Sequence, residues 1–123
     1  DYNTSGIKVL VVEDVELNQL LMKTLLDDFG FECEIVANGK IAIEALENNY
    51  FDIILMDIQM PEINGYKATR KIREFNKDVI IIAQTAFALT GDKELAIEAG
   101  CNDYISKPVS EEKLDTIIRK HFN

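Results

Sequence analysis

Phe51-Asp52-Ile53-Ile54-Leu55-Met56-Asp57-Ile58-Gln59-Met60-Pro61 is the stretch whose reading decides the fold. The unbroken apolar run from Ile53 to Met56 reads as a strand buried on both faces. It stops at a carboxylate, Asp57. Pro61 and then Asn64-Gly65 follow, a combination that turns the chain away. An acid at the carboxyl end of a buried strand is costly unless something pairs with it or uses it.

Working outward, the chain alternates strands with helices. Upstream, residues 7–12 form a strand that ends in Glu13-Asp14. Residues 15–29 follow as a helix, with Leu17, Leu21, Leu25 and Phe29 repeating at i+4 and Gly30 as its stop. Residues 32–36 are a shorter, more polar strand suited to a sheet edge. Asn38-Gly39 reads as a turn before a helix over 40–48, which offers Ala42, Ile43 and Leu46 to the core. Downstream, a helix is expected over 64–75, and a β-branched strand over 79–83 leads into Gln84-Thr85-Ala86. A fourth helix spans 89–99 and closes at Gly100. The last strand, 102–106, runs into Lys107-Pro108, and Ser110 caps a final helix over 111–121.

Five βα units in strict alternation predict an α/β protein with a parallel sheet covered on both faces. Right-handed crossovers leave few topologies. The apolar first strand belongs inside the sheet, so the expected order is 2-1-3-4-5, a doubly wound, flavodoxin-like sandwich.

The 123 residues suffice for one domain, with 47% hydrophobic and 28% charged residues. A net charge of −9 argues against a nucleic-acid surface and fits a cation or a basic partner. Cys33 and Cys101 lack metal-site spacing, and the strand order sets them at opposite edges of the sheet, so both are expected to be free thiols. No apolar run reaches the length of a membrane span and no signal peptide precedes the first strand, which predicts a cytoplasmic protein without direct membrane contact. Residues 1–6 read as a linker or remnant, and residues 7–123 as the domain.

Sites in open α/β sheets form beyond the carboxyl ends of the strands. Here that edge collects Glu13-Asp14, Asp57, Thr85 and Lys107. Singly, each acid suits a helix start or a turn, Thr85 a strand end and Lys107 a solvated surface. Together, three carboxylates from neighbouring strands demand a cation or a raised proton affinity. Mg²⁺ meets that demand with carboxylates, waters and one phosphate oxygen in its shell, and Mn²⁺ is the alternative. With no phosphate-binding glycine loop in the chain, the phosphate is expected on the protein itself. Asp57 is the placed nucleophile, with Lys107 and the Thr85 hydroxyl available to phosphoryl oxygens.

These motifs carry a resemblance. Val-Val-Glu-Asp at 11–14, Ile-Leu-Met-Asp-Ile-Gln-Met-Pro at 54–61 with Asn64-Gly65, Gln-Thr-Ala at 84–86 and Asp-Tyr-Ile-Ser-Lys-Pro at 103–108 resemble the receiver domain of two-component response regulators. The stretches 18–21 and 65–70 are most similar to receivers of hybrid sensor histidine kinases. The resemblance implies a phosphoacceptor in a phosphorelay, which catalyses only its own phosphorylation and dephosphorylation. Asp57 would be the acceptor. Asp14, Asp57 and the Gln59 carbonyl would ligate Mg²⁺, with Glu13 acting mostly through water. Thr85 and Lys107 would contact the phosphoryl group, Tyr104 would swing inward with Thr85, and Lys107-Pro108 would be a cis peptide.

The implied donor is a histidine kinase or histidine phosphotransfer domain. Val15, Leu17 and Pro108 are expected at its docking surface, with the protein's own kinase or output domain lying outside this chain and a membrane sensor as its tether. Gln59 and Phe87 would set the lifetime of the phosphate, and a Phe87 ring over Asp57 would exclude water and lengthen it. Two rival readings remain at this point. One is a receiver-like module that binds partners without phosphorylation, disfavoured by the complete site set. The other is a Mg²⁺-dependent phosphohydrolase, which would want an acid where Gln59 stands.

Overall fold

The computed structural model describes residues 6–60, 64–85 and 92–122. Pro61, Phe87 and the expected start of the fourth helix at Leu89 lie outside them. The order is β1 (Lys8–Val12), α1 (Glu16–Phe29), β2 (Glu32–Val36), α2 (Gly39–Asn48), β3 (Ile53–Asp57), α3 (Gly65–Arg73), β4 (Ile80–Thr85), α4 (Asp92–Ala99), β5 (Asp103–Ser106) and α5 (Glu111–Phe122). The sheet is parallel with order β2-β1-β3-β4-β5, as expected.

Strand side chains alternate between two cores. Leu10, Val12, Ile54, Met56, Ile81 and Ala83 face the layer of α2, α3 and α4. Val9, Val11, Ile53, Leu55, Ile82 and Ile105 face α1 and α5. β3 is buried at every position, which is why its sequence is unrelieved by polar residues until Asp57. β2 is an edge strand with Glu32 and Glu34 exposed. Cys33 and Cys101 are both free thiols.

Two local details differ from expectation. Asn38-Gly39 is a helix start rather than only a turn, and Asn64-Gly65 opens α3 where a helix over 64–75 is expected. The Asn38 side chain accepts from Ile41 N at 2.9 Å and the Asn64 side chain from Lys67 N at 3.0 Å, so each asparagine is an N-cap and each glycine the first helical residue. In α1 the i+4 series does not mark the buried face. Met22 and Leu26 are buried, Leu25 and Phe29 only partly, while Leu17 and Leu21 are 64% and 59% exposed. Four residues turn a helix about 40° past a full revolution, so an i+4 series winds off any fixed face. Near the end of α5, His121 Nε2 lies 3.2 Å from Asp103 Oδ2, which Lys120 Nζ also meets at 2.7 Å.

Candidate metal and phosphoryl site

The parallel register brings the strand ends level. Val12 pairs with Met56, Asp57 with Gln84, and Thr85 with Ser106. The residue after each end therefore emerges at one edge, and Glu13, Asp14 and Asp57 bring carboxylate oxygens within 4.8 Å of one another. Glu13 and Asp57 are 1% and 2% exposed, and Asp14 is the more open of the three.

One cation holds the buried pair together. Lys107 Nζ lies 3.2 Å from Glu13 Oε1 and 3.2 Å from Asp57 Oδ1. The second Glu13 oxygen accepts from Val15 N at 3.1 Å, and the Glu13 carbonyl accepts from Gln19 Nε2 at 2.7 Å. Gln59 N donates to Asp57 Oδ1 at 3.1 Å. Lys107 N donates to the Thr85 carbonyl at 2.8 Å, which fixes the last residue of β4 against the segment that carries the lysine. The Lys107–Pro108 peptide bond is cis.

The electrostatics are those of an acid cluster short of positive charge. Burial raises the Asp57 carboxyl, Lys107 lowers it, Glu13 raises it again, and the balance is about 6. Burial lowers the Lys107 ammonium, but Asp57 and Glu13 outweigh burial and hold it above its ordinary value. Hard oxygen donors with excess negative charge suit a divalent cation such as Mg²⁺.

Thr85 is buried at the end of β4. By strand alternation it shares the α3 and α4 face with Ala83, and Tyr104, the cross-strand partner of Ala83, is half-buried on that face. Gln84, one residue earlier than Thr85, points the other way. It is 1% exposed, its Nε2 has no hydrogen-bond partner among the described residues, and it lines a cavity of about 290 Å³ with Glu13, Lys107, Leu21 and Pro108. A buried amide left without an acceptor costs about 1–3 kcal/mol. Sequence reading passed over Gln84 and Gln19. A lone amide closing the apolar run 79–83 was the available signal for the first; for the second there was none.

The profile of the response regulator receiver domain family matches residues 9–119. The chain belongs to that family. This receiver is 38% identical over 118 residues to the sensor protein GacS of Pseudomonas syringae pv. syringae, covering 92% of this chain and 13% of that protein. It therefore spans only a small part of the length of such relatives. It superposes on the receiver domain of the sensor histidine kinase PA1611 from Pseudomonas aeruginosa PAO1 with a TM-score of 0.86, 39% identity, and 96% and 98% of the two chains covered. That crystal structure has a magnesium ion coordinated in its active site cleft. A third relative comes from the Saccharomyces cerevisiae co-crystal of the histidine phosphotransfer protein Ypd1 with the receiver domain of Ssk1. There the TM-score is 0.91 with 32% identity, over 98% of this chain and 91% of that one. Among the described residues no helix is long and apolar enough to cross a membrane.

Proposed function

We propose that this receiver is the phosphoacceptor of a cytoplasmic phosphorelay and takes a phosphoryl group from a phosphohistidine onto Asp57. The observation that carries the reading is the buried Asp57 carboxylate held 3.2 Å from Lys107 beside two further acids. An Asp57 oxygen attacks phosphorus in line, the P–N bond to the donor imidazole breaks, and that nitrogen keeps the electron pair. Lys107, already at Asp57, moves its charge onto a phosphoryl oxygen, and the Thr85 hydroxyl donates to another. Bound at Asp14, Asp57 and the Gln59 carbonyl, with Glu13 acting through water, Mg²⁺ would neutralise charge that builds up on the transferring group. Gln59, two residues past the acceptor, is neutral and cannot serve as a strong base toward water, which favours a long-lived phosphoaspartate. The domain is thus a phosphoacceptor module rather than a conventional enzyme. Incubation with acetyl phosphate, with and without Mg²⁺, tests this by intact mass: one phosphoryl group per chain is expected with the ion, and none in either arm would defeat the reading.

The docking surface for a donor is supported by what α1 leaves outside. Val15, Leu17, Leu20 and Leu21 are all exposed, and Leu21 lines one cavity with Pro108 and Lys107. Val15 is also the N-cap of α1 and makes no side-chain cap bond, although valine is a poor residue there. Val15→Asp would supply a good cap and remove an apolar contact. It is expected to leave labelling by acetyl phosphate nearly intact while slowing transfer from a phosphorylated histidine phosphotransfer protein by about tenfold, the equivalent of ~1.4 kcal/mol. Equal slowing in both assays would return Val15 to a purely local role.

Phosphorylation would draw Thr85 toward the phosphoryl oxygen and free space for Tyr104, their shared face supplying the coupling. Beryllofluoride, standing in for the phosphoryl group, should then shift the amide resonances of Tyr104 and Ile105. Unmoved resonances there would rule out this route.

A further inference from the structure

Ser110 is the side-chain N-cap of α5, accepting from Lys113 N at 3.1 Å. The third helical residue after such a cap favours Glu or Gln, whose side chain reaches back to the cap, and the positive end of the helix dipole disfavours a cation. This chain has Lys113 there. A local rule broken without local gain points to a gain elsewhere.

The gain is visible in where the ammonium goes. Lys113 Nζ donates to the Ser106 carbonyl at 3.2 Å, to Ser106 Oγ at 3.0 Å and to the Pro108 carbonyl at 3.2 Å. Ser106 and Pro108 are the two residues that flank Lys107. One partly buried ammonium thus spends three donors on either side of the lysine that bridges Glu13 and Asp57. From the sheet side, the Lys107 N–H is tied to the Thr85 carbonyl. The segment 106–108 is held from α5 and from β4 at once.

We infer that Lys113 is a positioning residue for Lys107. It never touches the acceptor. It fixes the backbone on both sides of Lys107, so that the long Lys107 side chain starts from one place and its charge arrives at Asp57 without a search. A flexible four-carbon stem loses most of its usefulness if its root also moves, and misplacement by about 1 Å at a phosphoryl-transfer site costs up to about a hundredfold in rate. The inference rests on the phosphoacceptor reading for its consequence, and on the hydrogen bonds alone for the placement.

Lys113→Gln separates the clamp from helix stability. Glutamine completes the Ser-x-x-Gln capping pattern with Ser110 and cannot reproduce three ammonium bonds. The variant is expected to unfold at the same temperature as the parent or higher, yet to be labelled by acetyl phosphate about five- to fiftyfold more slowly. In the metal-free protein the lysine-ammonium NMR spectrum should show the Lys107 signal, protected in the parent by its two carboxylates, moving toward those of solvated lysines. Lys113→Arg, which can reach the same carbonyls, should restore labelling. In a Lys107→Ala background Lys113→Gln should slow labelling no further.

Unchanged labelling, an unmoved Lys107 ammonium signal, or a further loss in the Lys107→Ala background would each overturn the inference. If the parent itself takes no label, the phosphoacceptor reading fails, and the ammonium spectrum still decides whether Lys113 holds Lys107 in place.

Discussion

Asp57→Asn is expected to abolish labelling by acetyl phosphate and, without divalent ions, to make the protein more stable at pH 7. The first effect follows because an amide oxygen cannot carry the phosphoryl group. The second follows from the cost of the charge. The Asp57 carboxyl titrates at about 6 in the fold, against about 3.9 in an unfolded chain. Between these values the folded state binds the proton more tightly, so stability rises as pH falls from about 6 toward 4. Above that window the folded protein bears the full penalty of the buried charge. Asparagine removes that net penalty, in which the Lys107 attraction is already included, for a gain of about 2 kcal/mol at pH 7 that vanishes near pH 4.

Asp103 acts in the opposite sense. Burial raises its carboxyl, but Lys120, the Tyr104 N–H and His121 outweigh burial and hold it below the ordinary range. Its contribution is present above the unfolded carboxylate value and is lost as pH falls through the depressed one. Urea unfolding of parent and Asp57→Asn at several pH values checks both. Equal stability at pH 7, or retained label in the variant, would contradict the picture of a buried acceptor whose charge Lys107 only partly offsets.

Gly65→Ala should cost about 3 kcal/mol and slow labelling by about a hundredfold. A methyl at Gly65 would be driven against the Asp57 carbonyl oxygen, with Ile58 Cδ1 at 2.8 Å and Ile58 Cα at 2.9 Å. Much of that obstacle is main chain, which has no rotamer to escape into. The Gly65 N–H already donates to the Ile58 carbonyl at 3.1 Å, so α3 begins pressed against the backbone that carries the acceptor. Making room means moving α3 or Asp57. Calorimetry and acetyl phosphate labelling of the same sample would measure both losses. Stability within about 0.5 kcal/mol of the parent would mean that α3 can step back freely and that the close approach constrains nothing.

The strand framework could be read in advance because a strand buried on both faces must be apolar throughout, so Ile53–Met56 announced itself and the acids that ended each run stood out. Parallel register did the rest, levelling Glu13 with Asp57 and Asp57 with Gln84, and bringing the end of β5, with Lys107 just past it, to the same edge. What escaped depends on contacts between residues remote in sequence, or on backbone. Gly65 looked like a turn glycine because a dipeptide cannot show the carbonyl that excludes its side chain. On α1 the exposure expected of Val15 and Leu17 holds, but the i+4 leucine series could not show that Met22 and Leu26 form the buried face, because only the packing of α1 against the sheet tells equally apolar residues apart. His121 had no neighbour of interest until the fold returned α5 to the first residue of β5. Lys113 broke a capping preference in plain view, but its reason lay in Ser106 and Pro108, fixed only once the loop was closed.

The fastening of β5 has a consequence for recombination between receivers. This four-residue edge strand is bound to α5 at its head, where Asp103 takes Lys120 and His121, and at its tail, where Lys113 takes Ser106 and Pro108. Strand and helix therefore form a single heritable cassette, residues 103–122. A crossover between Ser106 and Lys113 pairs a loop from one parent with a clamp from another, whereas a crossover after Asn102 carries every one of these contacts intact.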